Sequence, residues 1–243
     1  MMYLLNERID DLQRGGLRVI QRADAFRFGT DAVLLADFAA PRRHDRVCDL
    51  GTGTGIIPLL LYARENTISA DAVEIQPDMA DMAARSMAMN GLNEKIRVLP
   101  GDLRSIRTLL PHARYDLVTC NPPYGKAGGT LLNPDASKRL ARHEESCAIE
   151  DVACAAAWLL QNGGRLCCVF PAARMIELSD AMRKYRMAPK RIRMVHSRVE
   201  KAAHLCLMEG MLDARPGLII EPPLVIYDEN NAYTPELRRI YGL

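Results

Sequence analysis

Residues 46–65 read RVCDLGTGTGIIPLLLYARE. The stretch opens on small and β-branched apolar residues, passes through an acid and three alternate glycines, and closes on a second apolar run. A short apolar run ending in glycine reads as a buried strand, and the longer run GIIPLLLYARE reads as a helix. Pro58 is tolerated near the first turn, where a missing N–H has no partner to lose. A strand that turns through glycines straight into a helix is the first half of a βαβ unit. Repeated, it predicts a parallel sheet covered by helices on both faces, with ligands beyond the carboxyl ends of the strands where strand order reverses.

The pattern does repeat. SADAVEI, KIRVLPGD, RYDLVTCNPP and RLCCVFP read as further strands. PDMADMAARSMAMNGL, DVACAAAWLLQNGG and AARMIELSDAMRKY read as helices, the first opened by Pro77 and closed by Asn90-Gly91, the second stopped by its glycines. KRIRMVHS and AHLCLMEGML are late strands, and Pro222 and Pro223 confine GLIIEPPLVIYDE to a sheet edge. Upstream, GLRVIQRADAFRF reads as a short hairpin and TDAVLLADFAA as a helix capped by Thr30 or Asp31. The expectation is a single α/β domain, with a lead-in over residues 1–45 and a core over 46–243.

Composition agrees. With 243 residues, 49% hydrophobic and 26% charged, the chain can bury a large core, which argues against disorder. A net charge of +2 neither demands nor excludes nucleic acid, so local clusters must decide. The seven cysteines form no CxxC pair, and Cys48, Cys120, Cys167 and Cys168 lie in strand-like runs. They read as small core residues in a reducing compartment, with no metal site. The N-terminus lacks a cationic start before a long apolar run, and no stretch is long enough to span a bilayer. A cytoplasmic protein without a membrane partner is expected, taken as a monomer.

The strand ends carry the chemistry. Gly51-x-Gly53-x-Gly55 departs from the dinucleotide fingerprint, because Ile56 holds the third-glycine position. That argues against NAD or FAD. The second strand ends in Glu74, about twenty residues after the glycines, where a carboxylate can accept from both ribose hydroxyls. The third ends in Asp102, which can accept from an adenine amino group or simply cap the next turn. Asp49, Gly51, Thr52, Gly53, Gly55, Glu74, Ile75, Asp102 and Leu103 form the candidate cofactor set. A glycine turn followed by two acids suits a nucleoside cofactor without a pyrophosphate, and S-adenosylmethionine fits. The fourth strand ends in Asn121-Pro122-Pro123-Tyr124.

The order DLGTGTG, VEIQ, GDL, NPPY resembles the class I S-adenosylmethionine-dependent methyltransferases that act on planar exocyclic or amide nitrogens. The resemblance covers roughly residues 28–171 and implies a seven-stranded, mostly parallel, Rossmann-like sheet with an antiparallel last strand. It implies that the Asn121 side-chain oxygen and the Pro122 carbonyl accept the two N–H groups of the target nitrogen. Asn121 also borders the cofactor. Pro122 and Pro123 fix the backbone, and Tyr124 gives the base a face to stack on. Adenine-N6, guanine-N2 and glutamine-N5 enzymes share NPPY.

FRFGTDAVLLADFA, residues 26–39, narrows the choice. It closely resembles the corresponding segment of bacterial tRNA1(Val) (adenine-N6)-methyltransferases, and NERIDDL near the start is also similar. By that resemblance Phe28, Gly29 and Asp31 line the cofactor pocket, and the substrate is the anticodon loop of a tRNA, methylated on the adenosine 3′ of the anticodon. Lys126, Lys138, Arg139, Arg142 and His143 follow NPPY and are candidate substrate contacts. A second basic cluster, Arg183 to Arg193, is a further candidate for phosphate contact. The rival readings are methyl transfer to guanine N2 or to a protein amide, and an RNA-binding scaffold with a vestigial cofactor site.

Overall fold

The structure, a computed structural model, describes residues 6–22, 29–122 and 148–243. Strands β1 (Glu7–Asp11) and β2 (Arg18–Arg22) form an antiparallel hairpin. Helix α1 (Thr30–Ala39) leads into the sheet. There follow β3 (Arg46–Leu50), α2 (Ile56–Arg64), β4 (Ser69–Glu74), α3 (Pro77–Met89) and β5 (Ile96–Pro100). A 3-10 turn and the short α4 (Ile106–Leu109) connect to β6 (Tyr115–Cys120). Helix α5 (Ile149–Leu159), β7 (Leu160–Pro171), α6 (Met175–Lys184), β8 (Met187–His196) and β9 (Ala203–Leu212) complete the core. Two-residue strands β10 (Ile219–Ile220) and β11 (Leu224–Val225) and helix α7 (Pro235–Tyr241) end the chain.

The main sheet runs β10-β8-β9-β7-β6-β3-β4-β5, with β11 beside β8. All its strands are parallel except β9, which is antiparallel to β7 and β8. This is the expected Rossmann-like sheet with nine strands rather than seven. The extra two arise because Pro222-Pro223 splits the segment after β9, so that β10 and β11 pair separately with the open edge of β8.

Two cores fill the faces. On one, α1 and α2 bury Leu34, Leu35, Leu59 and Leu61 against Val47, Leu117 and Val169, and α7 adds Leu237 and Ile240. On the other, α5 and α6 bury Leu159, Leu178 and Met182 against Leu50, Val118 and Phe170. Truncating a fully buried residue such as Leu59 to Ala costs about 2–5 kcal/mol, transfer plus cavity. Cys48, Cys120 and Cys168 are buried in the second of these cores and Cys167 in the first.

Several boundaries differ from expectation. The hairpin pairs 18–22 with the NERIDDL segment, since Ile9 and Ile20 lie opposite each other. Helix α1 is capped by Gly29 with no side-chain bond, rather than by Thr30 or Asp31. Helix α5 ends at Leu159, and Gly163-Gly164 fall inside β7, where the register against β6 slips between Tyr115 and Leu117. The glycines there mark a bulge, not a helix stop. Helix α7 went unread, although Thr234 caps it and Pro235 opens it, the usual start signal.

Candidate active site

The chain steps outward from β3 to β4 and β5, then returns across β3 to β6 on its other side. The gap between β3 and β6 is therefore the switch point of the sheet. Leu50 lies opposite Cys120 in register, so Gly51 and Asn121 leave the sheet side by side. Leu50 also lies opposite Val73, and Glu74 opposite Pro100. The glycine loop, Glu74, Asp102 and Asn121 thus sit along one edge without any long-range bending of the chain.

The glycine loop takes the backbone that its residues allow. Gly51, Gly53 and Gly55 have φ of 70°, 58° and 84°. At Gly55 a side chain would also run into Met87 Cε and lie 3.3 Å from Ala83 Cβ, because the loop presses on α3. The amides of Gly51 and Thr52 donate to the Val73 carbonyl at 2.9 and 3.0 Å. Glu74, only 4% exposed, accepts from the Gly53 amide at 2.8 Å and from the Gln76 amide at 2.9 Å. Its carboxylate therefore braces the loop against the start of α3. Each oxygen keeps a second lone pair toward a ligand.

Asp49 is fully buried at the end of β3. It lies opposite Thr119 of β6, whose hydroxyl donates to Asp49 Oδ1 at 2.6 Å. Burial pushes the carboxyl up to about 7, opposed by the Thr119 and Thr52 hydroxyls and reinforced by Glu74. Thr52 lies near without closing a well-formed bond. Asp49 Oδ2 and Thr52 Oγ1 are the buried side-chain polar atoms with no hydrogen-bond partner among the described residues. Unsatisfied buried groups of this kind are costly and need a reason. Two orphaned oxygens at the glycine turn fit a cofactor that brings its own donors, such as the ammonium of the amino-acid tail of S-adenosylmethionine. Thr119 escaped the reading of the sequence. The trace it leaves there is a lone hydroxyl in the apolar run YDLVTC.

Asp102 caps the 3-10 turn by accepting from the Arg104 amide at 2.9 Å. The Arg104 guanidinium also grips it, at 2.9 Å from Nε and 2.6 Å from Nη2, and holds its carboxyl below the usual range. The capping reading is thus realised, and the carboxylate stays charged. Ile75, 43% exposed, offers an apolar surface beside Glu74, while Leu103 is half-buried against the core. Asn121 is half-buried and Pro122 buried. Gly29 and Asp31 stand at the start of α1. The Thr30 hydroxyl accepts from Tyr241 at 3.1 Å, and Asp31 is close enough to His204 to act on its charge.

Phe28, Pro123, Tyr124, Lys126, Lys138, Arg139, Arg142 and His143 lie outside the described residues. In the second basic cluster, Arg183 to Arg193, four of the cations form ion pairs within the protein. Lys184 pairs with Glu150, Arg186 with Asp213, Arg191 with Glu209 and Glu221, and Arg193 with Glu236. These cations are spent on carboxylates of the protein. Residues 183–187 also lie at the opposite, amino edge of the sheet, since β8 runs parallel to β7.

Residues 23–191 match the family described as methyltransferase small domain. Two curated proteins, both named tRNA1(Val) (adenine(37)-N6)-methyltransferase, are 32% identical (Porphyromonas gingivalis) and 34% identical (Tolumonas auensis). The alignments cover 90% and 87% of this chain and 89% and 86% of those proteins. Among solved structures, one described as a predicted O-methyltransferase from Agrobacterium tumefaciens superposes with a TM-score of 0.72 at 24% identity, over 88% of this chain and 96% of that chain. TrmN from Thermus thermophilus superposes with a TM-score of 0.55 at 23% identity, over 74% of this chain and 48% of that chain. These two likenesses are of fold. The chain belongs to the methyltransferase small domain family, in the group of the tRNA1(Val) (adenine(37)-N6)-methyltransferases.

Proposed function

We propose that this protein transfers a methyl group from S-adenosylmethionine to the exocyclic N6 amine of an adenine in tRNA, at the adenosine 3′ of the anticodon of a tRNA(Val). The observation that carries this reading is the side-by-side exit of the glycine loop and Asn121 from β3 and β6. S-adenosylmethionine supplies an electrophilic methyl group. Gly51, Thr52, Gly53 and Gly55 would hold it, with Asp49 and Glu74 beneath, Asp31 and Gly29 to one side, and Asp102, Ile75 and Leu103 around the adenine.

The remaining work falls to Asn121 and Pro122. An exocyclic aromatic amine is a poor nucleophile, because its lone pair is delocalised into the ring. Proton abstraction from the neutral amine is too costly to help. Two acceptors aimed at its N–H groups favour a pyramidal nitrogen, free the lone pair and direct it. The Asn121 side-chain oxygen and the Pro122 carbonyl are those acceptors. Because both follow a buried strand, they need not reorganise as the reaction proceeds. Tyr124 stacks on the base, and Lys126, Lys138, Arg139, Arg142 and His143 contact the surrounding phosphates. A target in a loop is already partly unstacked, which lowers the cost of extruding it. The protein acts as a monomeric single domain in the cytoplasm. No helix among the described residues is long and apolar enough to cross a membrane.

The test is methyl transfer from labelled S-adenosylmethionine to an unmodified tRNA pool, with nucleoside analysis of the product. N6-methyladenosine in one tRNA species is expected. Label in ribosomal RNA as N2-methylguanosine, or in a protein glutamine, would keep the Asn121 chemistry and overturn the substrate.

A further inference from the structure

The C-terminal segment, residues 218–243, meets the site described above at the Tyr241 hydroxyl, which donates to Thr30 at 3.1 Å. After β11 the chain makes a tight turn. The Asp228 carboxylate accepts from the amides of Asn230 at 2.8 Å and Ala232 at 3.0 Å, and Arg198 donates to the Asp228 carbonyl at 3.3 Å. This turn and the end of α7 hold three tyrosines in a stack. Tyr227 and Tyr233 have ring centroids 5.5 Å apart and planes inclined by 27°, and Tyr233 and Tyr241 have centroids 5.5 Å apart inclined by 14°. Both lie in the range of favourable offset stacking. Tyr233 and Tyr241 pack on the core beneath α1, whereas Tyr227, the outer member, is 37% exposed.

Position gives the stack its meaning. Val225 lies opposite His196 at the end of β8, and the Tyr227 amide donates to the Ser197 carbonyl at 3.0 Å. Tyr227 therefore stands just beyond the carboxyl end of β8, on the same edge of the sheet as Gly51 and Asn121. Four strand spacings, about 19 Å, separate β11 from β6 across the sheet, and Tyr227 stands about four residues beyond Asn121 along the strand direction, which puts the two on the order of 25 Å apart. A short run of single-stranded nucleotides spans that distance.

Charge identifies what the platform reads. The β8–β9 turn carries Arg198 and Lys201, and His196 and His204 flank it, but Glu200 and Glu229 stand exposed nearby. The cations are balanced, so the surface is no phosphate trap. It offers a rigid π face, backed by a second and a third ring, and every nucleobase presents a matching face.

We propose that Tyr227 is a stacking platform for a second nucleobase of the RNA substrate, distinct from the base that is methylated. The C-terminal segment is then a substrate-positioning element, and the Tyr233–Tyr241 pair fixes the platform relative to α1. This rests on the RNA reading of the active site. The native protein's activity on tRNA tests that reading, and the Tyr227 variants test the platform.

Binding of unmodified tRNA is followed by fluorescence anisotropy, with KM and kcat for methyl transfer and calorimetry of S-adenosylmethionine. Tyr227→Ala and Tyr227→Leu are expected to raise Kd and KM for tRNA about tenfold, as loss of one base stack implies, with kcat little changed. Tyr227→Phe, which keeps the ring, restores native values, and cofactor affinity is the same in all. Native Kd and KM in Tyr227→Leu would overturn the platform while leaving methyl transfer standing. A native protein that neither binds nor methylates RNA would overturn both. Should Tyr227→Ala and Tyr227→Leu lower the melting temperature, ultraviolet cross-linking of the native protein to tRNA decides. A nucleotide adduct on Tyr227 is expected, and adducts elsewhere only would overturn the proposal.

Discussion

The molecule buries polar groups in two clusters on its sheet, in opposite ways. Across β7, β8 and β9 Arg165, 5% exposed, donates to Glu209 at 3.1 Å, to the Ala39 carbonyl at 3.0 Å and to Asp45 at 3.4 Å. Arg191 joins it, donating to Glu209 at 3.1 Å and to the Phe38 carbonyl at 2.7 Å. Its guanidinium lies 4.2 Å from the Phe38 ring centroid. The two arginines thus satisfy carbonyls at the last turn of α1, where a helix end wants positive charge. Across β3 and β6, in the same row of the sheet, Asp49 is just as deeply buried, yet one of its oxygens has no partner among the described residues. The satisfied cluster holds the fold. The unsatisfied one waits for a ligand.

The largest effect expected from breaking this contrast lies in the satisfied cluster. Glu209→Ala strips both arginines of their shared carboxylate and leaves the buried Arg165 only the Asp45 carboxylate at 3.4 Å and Arg191 only that of Glu221, which costs up to about 3–5 kcal/mol of stability. Urea denaturation reads this directly. A loss below about 1 kcal/mol would mean that water already solvates the cluster, as it does a surface pair, and the contrast would fail.

Asn121→Ala should do the reverse. Turnover falls about 10²–10³-fold, the scale seen when a preorganised polar partner of the transition state is removed. The urea midpoint and tRNA affinity stay near native. A variant that turns over at a near-native rate would refute the two-acceptor mechanism.

The two clusters were unequally legible. The strand-end positions of the glycine loop, Glu74, Asp102 and Asn121 could be read because each ends or follows an apolar run that the sequence itself displays. The pairing of Asp49 with Thr119 joins residues 70 apart, and that of Arg165 with Asp45 joins residues 120 apart. Only sheet order creates such pairs. The run from Arg183 to Arg193 shows only its charge for the same reason. The sheet and α7 bring Glu209, Glu221 and Glu236 against Arg191 and Arg193, and nothing near them in sequence announces it. The tyrosine stack was invisible too, since nothing in the spacing of residues 227, 233 and 241 announces it.

Asp49 separates the two clusters by pH. Its carboxyl titrates near 7 when folded, against 3.8 as the ordinary value. A raised acid favours the folded state only while protonated. Its contribution is complete below about pH 4 and is lost as pH rises toward 7, at about 1.4 kcal/mol per pH unit. Asp49→Asn is nearly isosteric and cannot ionise. In the absence of cofactor it should match the native protein at pH 4 and melt progressively higher than it as pH rises to 8, while binding S-adenosylmethionine more weakly. Melting curves that stay parallel across that range would show that Asp49 is not ionised at a cost.

Asp102 tests whether an exposed carboxylate at the functional edge belongs with the structural groups. Its side chain is 27% exposed and its partner Arg104 is 45% exposed, so their ion pair contributes little to stability. Its measurable structural role is the cap on the Arg104 amide, which Asn supplies almost as well as Asp and Ala does not. Asp102→Asn should therefore stay within a few tenths of a kcal/mol of native stability, and Asp102→Ala should lose about 1 kcal/mol. A side chain that only caps would leave S-adenosylmethionine affinity native in both. One that accepts from the adenine amino group loses affinity in Asp102→Ala and keeps part of it in Asp102→Asn, whose carboxamide oxygen still accepts. Calorimetry on the two variants separates these outcomes. Graded loss of affinity across the pair is the expected result, and equal, native affinity would return Asp102 to the scaffold.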